Sequence, residues 1–191
     1  WADGYSNAVP RLLSGLKAPK KGMIGPWAHR YPHFAEPGPR IGFLRETLRW
    51  WDQWLKGIDT GIMQEPEYRV WMEDWVSPAP YYKERPGRWV AEPRWPSPNI
   101  ATRGYHLAPG RLSGKPAGIQ ASLPVASPLS VGMLAGHWCP YGLSPDLPSN
   151  QRDEDGKSVL FDTEPLETPV EILGAAEVEL EITSEKPQAQ L

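Results

Sequence analysis

From Lys20 the chain reads Lys20-Lys21-Gly22-Met23-Ile24-Gly25-Pro26-Trp27-Ala28-His29. A short apolar run bounded by glycines predicts a buried strand over residues 22–25, and the prolines that follow, through Pro39, make residues 26–39 a long loop. Long irregular loops in compact domains are frequently functional. Upstream, Val9, Leu12, Leu13 and Leu16 recur at helical spacing and predict a short amphipathic helix over residues 8–16, with Pro10 tolerated in its first turn. Downstream, Leu44, Leu48, Trp51 and Leu55 form one face of a helix over residues 42–56, widened by Thr47 and Trp54 and closed by Gly57. The tryptophans of that helix are expected to pack into a core.

Further along, residues 68–73 read as a strand. Residues 75–98 form a proline- and tryptophan-rich connection with a short extended piece at 88–91, and the proline density sets a domain boundary near Pro98. Beyond it the period changes to two. Residues 104–107 lead to a Pro109-Gly110 turn, the stretch 114–148 is rich in glycine and proline, and strands are expected at 158–162 and 170–173. Glu177-Val178-Glu179-Leu180-Glu181-Ile182 alternates strictly, with one acidic and one apolar face, so the second half is expected to be all-β.

The 23 prolines and 10 tryptophans among 191 residues exclude an all-helical protein. With 20 basic and 23 acidic residues and a net charge of −3, no electrostatic footprint for nucleic acid or an anionic membrane exists. A single cysteine, Cys139, can form no internal disulfide, and no Cys/His spacing suggests a structural zinc. No apolar run approaches the ~20 residues that span a bilayer. These features give the expectation of a cytoplasmic location, with neither metal nor cofactor.

The segments Trp1-Ala2-Asp3-Gly4-Tyr5 and Gly25-Pro26-Trp27-Ala28-His29 flank the first helix and strand. If a strand precedes Asp3, both loops lie at the carboxyl ends of neighbouring parallel strands, where open α/β sheets gather ligand-binding groups. An acid followed by a histidine in that order is the α/β-hydrolase arrangement, with the nucleophile earlier in the chain. In that mechanism His29 moves the proton of a serine hydroxyl and Asp3 fixes the tautomer of the imidazole.

Together the two segments resemble the X-Pro dipeptidyl-peptidase and cocaine-esterase-like (CocE/NonD) hydrolase family. That family pairs Gly-Trp-x-Asp-Gly-aromatic, bearing the triad acid, with Gly-Pro-Trp-x-His, bearing the triad base. The likeness continues in Trp50-Trp51-Asp52-Gln53-Trp54-Leu55-Lys56-Gly57, and again from Asp153 to Gly174. What the resemblance implies is an α/β plus all-β fold: residues 1–98 as the C-terminal portion of an α/β-hydrolase domain, and 99–191 as the N-terminal portion of a jelly-roll β domain, an incomplete β-sandwich. It implies Asp3 and His29 as catalytic residues, Tyr5, Trp27 and Trp138 near the substrate pocket, and a small-molecule or peptide substrate with an acyl group.

No Gly-x-Ser-x-Gly elbow occurs; Ser6 and Ser14 each have glycine on one side only. The chain is therefore expected to be an internal fragment, inactive alone, with serine and oxyanion donors preceding Trp1. Other residues read blandly. His33 lacks the carboxylate a metal site needs, His106 is a sheet residue, His137 and Cys139 suit packing or pocket lining rather than a metal, and Asp153 to Gly156 suit a polar turn. Two rival readings remain: a β-sandwich binding module with an exposed tryptophan row between residues 89 and 138, and an interaction fragment or homo-oligomer joined through an unpaired edge at residues 178–183.

Overall fold

The computed structural model describes residues 3–116, 118, 122–136 and 148–188. Helix α1 (Ala8–Gly15) leads to strand β1 (Gly22–Ile24), helix α2 (Phe43–Leu55), a 3-10 turn (Ile62–Gln64), and strands β2 (Tyr68–Glu73) and β3 (Gly87–Glu92). Then come β4 (His106–Ala108), β5 (Gly110–Ser113), the single helical turn α3 (Arg152–Asp155) and β6 (Phe161–Asp162). The strands form two three-stranded sheets in the orders β1-β2-β3 and β4-β5-β6.

β1 runs parallel to β2, in the register Gly22 with Tyr68 and Ile24 with Val70. Parallel neighbours need a crossover, and residues 25–67, with α2 inside them, provide it as a βαβ unit. β3 then returns antiparallel, Val70 facing Val90 and Trp71 facing Trp89. α1 lies on this sheet: Leu13, Ile24, Tyr68 and Val70 form the core, with Val9, Trp95 and Leu173 packed against it. Full burial of one such apolar side chain contributes about 1.5–3 kcal/mol.

Sequence and structure agree closely on α1, β1, α2, β2 and β3. Gly57 has the left-handed φ of 69° that closes α2. The expectation of core tryptophans on α2 is corrected: no residue of α2 is buried, and Trp51 and Trp54 are 50% and 45% exposed. An apolar stripe measures a capacity for burial, and no described residue covers this one. What holds α2 is its polar side, where Glu46 and Arg49 bond to Arg69 and Glu65.

Among the described residues of the second half, only the 106–113 hairpin and a two-residue β6 pair up. The strands expected at 170–173 and 177–182 are not formed; Ile172, Val178, Leu180 and Ile182 are all exposed. The alternation is present, but a ladder needs a partner strand, and none among the described residues lies beside it. Leu173 nonetheless reaches the first core, and Arg88 on β3 is paired with Glu171.

Candidate active site

Asp3 and His29, 26 residues apart, meet: His29 Nδ1 lies 2.7 Å from Asp3 Oδ2. A carboxylate oxygen accepts, so Nδ1 is the donor of this bond and Nε2 is the ring's other nitrogen. The other carboxylate oxygen, Oδ1, accepts the Tyr5 backbone N–H at 2.7 Å, an Asx turn that orients the carboxylate. The Asp3 and His29 side chains are 23% and 33% exposed, open to a reactant without being freely solvated.

His29 has a φ of 51°, alone in positive φ among the described non-glycine residues. A left-handed conformation in such a residue costs about 1–3 kcal/mol and persists where surroundings enforce it. The Trp27 indole N–H donates to the Pro39 carbonyl at 2.8 Å, closing the loop around His29. Gly25 permits this fold-back, since a Cβ there would stand 2.6 Å from Trp27 Cε2.

Tyr5, 65% exposed, places its ring centroid 5.8 Å from that of His29. Trp27 instead directs its ring toward Gly25, Pro39 and Trp89. Trp138, His137 and Cys139 lie outside the described residues. His33 stacks parallel to Phe43 at 6.2 Å and edge-on to Phe34 at 4.7 Å, and its Nδ1 is buried without a partner among the described residues. No His, Cys, Asp and Glu group suited to a metal occurs among the described residues. His106 is in β4. No described helix is long and apolar enough to cross a membrane.

The tryptophan row that a binding module would show is not seen among the described residues of 89–138: Trp89 packs on Trp71 and Trp27, and Trp95 on Tyr68. Sequence reading missed the contact of Trp89 with Trp27 in the His29 loop, because contacts between a loop and a distant strand carry no periodic signal.

Residues 60–191 match the X-Pro dipeptidyl-peptidase C-terminal non-catalytic domain. Two curated proteins, each named "Putative serine esterase", one from Mycobacterium bovis and one from Mycobacterium tuberculosis, are 29% identical to the chain over 207 residues. Each alignment covers 96% of this chain and 29% of the relative, so the chain spans under a third of those proteins.

Proposed function

Because the chain belongs to the X-Pro dipeptidyl-peptidase and cocaine-esterase-like (CocE/NonD) family, we propose that it supplies the acid and base of a Ser-His-Asp triad in a serine hydrolase that cleaves ester, amide or peptide bonds. The observation that carries this reading is the 2.7 Å contact of His29 Nδ1 with Asp3 Oδ2. His29 Nε2 takes the serine hydroxyl proton as the oxygen attacks the substrate carbonyl, then returns it to the leaving group. Water hydrolyses the acyl-enzyme by the same relay in reverse. Asp3 holds the tautomer and stabilises the imidazolium. The serine comes from a part of the protein outside these residues, and Tyr5 lines the pocket beside the pair.

In the same reading, residues 1–98 belong to an α/β-hydrolase domain and 99–191 to a jelly-roll domain. The family match begins at Thr60, yet β1, before that point, is hydrogen-bonded to β2, after it. That continuity supports a boundary beyond β3. The exposed stripe of Leu44, Leu48, Trp51 and Leu55 on α2 supports further hydrolase-domain structure packing there.

The test uses the full-length protein and an activated ester. A fluorophosphonate should label one serine. His29→Ala should lower kcat/KM by at least ~10³-fold and Asp3→Asn by ~10²–10⁴-fold, with the fold retained. Wild-type turnover in His29→Ala would sink the reading.

A further inference from the structure

We propose that Trp89, on β3, is a positioning residue for His29, so that the β2–β3 hairpin, inside the span matched by a domain described as non-catalytic, holds the catalytic loop in its working geometry. This rests on the hydrolase reading above. Its action runs through Trp27, two residues before His29.

The loop is tied to the hairpin region at both ends. At its start, the Trp27 and Trp89 ring centroids are 6.2 Å apart, at an interplanar angle of 49°. Trp89 is backed by Trp71 on the paired strand, edge-on at 5.3 Å, and the Trp71 indole N–H donates to the Arg85 carbonyl at 3.2 Å. At the far end, the Gly38 N–H donates to the Lys83 carbonyl at 2.8 Å and the Arg85 N–H to the Gly38 carbonyl at 3.0 Å. The Trp27 bond to Pro39 joins the two ends. Strand to indole to loop is thus a continuous packed path, and a left-handed non-glycine residue at its end needs such a brace.

The balance of effects distinguishes positioning from stability. Misplacement of a reacting group by about 1 Å costs up to ~10²-fold in rate, so in the full-length protein Trp89→Ala should lower kcat ~10–100-fold with KM changed less than threefold. Trp89→Phe should recover most of that loss. The proton resonance of His29 Nδ1 bonded to Asp3 should persist in wild type and Trp89→Phe and broaden in Trp89→Ala. Val90→Ala, on the same strand and facing Val70, should lower the melting temperature without the kcat loss. If Trp89→Ala does not fold, Trp89→Leu reads the same question, since it fills the site but lacks the reach of the indole.

A kcat loss in Trp89→Ala or Trp89→Leu no larger than in Val90→Ala would overturn the proposal, as would an unchanged His29 resonance. His29→Ala, measured alongside, separates the two levels. If it abolishes turnover while the Trp89 variants keep the wild-type kcat, the brace fails and the triad stands; if it is itself fully active, the triad reading has failed first.

Discussion

The guanidinium of Arg69 on β2 lies 2.6 Å from the carboxylate of Glu46 on α2, and Glu46 also accepts from Arg49 one turn further along its own helix. Burial pushes the Glu46 carboxyl up, but the hydrogen bond and charge of Arg69, helped by Arg49, outweigh it and hold Glu46 below its ordinary 4.5. A depressed carboxyl pKa contributes stability that is present above the unfolded value and lost as pH falls through the folded one. Thermal unfolding of the full protein followed from pH 6 to pH 3 should show that loss. Glu46→Gln should remove it and cost ~0.5–1 kcal/mol at neutral pH, the scale of a partly solvated pair. Equal acid sensitivity in wild type and variant would dismiss this contribution.

Tyr68 is the opposite case. It is 1% exposed, in edge-on contact with Trp95, and burial pushes its phenol up to about 12. In the unfolded chain the phenol ionises near 10. The unfolded state therefore releases a proton first as pH rises, and stability falls between about 10 and 12. Tyr68→Phe should flatten this alkaline limb, a difference on the order of 1–2 kcal/mol at pH 11.5, while leaving stability near pH 7 within ~1 kcal/mol. Spectrophotometric titration of the phenol against unfolding measures both.

At Gly87 the chain leaves no room. A Cβ there would fall well inside van der Waals contact with the Met72 carbonyl and within 2.9 Å of Trp71 Nε1. Backbone cannot yield as a flexible side-chain end can, so Gly87→Ala should destabilise by about 1–3 kcal/mol. Because the displaced strand carries Trp89, the variant should also perturb the near-ultraviolet tryptophan signal. An unchanged spectrum and melting temperature would show that the hairpin relaxes freely.

How much of this was legible beforehand follows from what each feature requires. β2 and α2 are written in local periodicities, alternation and a 3.6-residue repeat, and both emerge within a residue of the expected bounds. Val178, Leu180 and Ile182 carry an equally clean alternation yet remain unpaired, because pairing is a property of two segments and alternation of one. The same distinction separates Asp3 and His29, legible through short motifs and family resemblance, from Trp89, whose contact with Trp27 joins residues 62 positions apart.

Tyr5 has two separable parts. Its ring is exposed beside His29, whereas its backbone N–H holds Asp3 Oδ1. Tyr5→Ala deletes the ring and keeps the N–H, so under the proposed triad reading the full-length protein should lose affinity for an apolar acyl substrate, KM rising ~3–10-fold with kcat little changed. Tyr5→Pro removes the N–H as well. Gly4 before it limits the steric conflict with the new ring. A hydrogen bond to a charged group contributes about 1.5–3 kcal/mol, and its loss frees the carboxylate that aims His29, so kcat should fall ~10–100-fold beyond Tyr5→Ala. The contrast in kcat between the two variants is the measurement. If they share the same kcat, the Asx turn does not orient Asp3, and the aim of the pair must come from the His29 loop and the indoles beneath it.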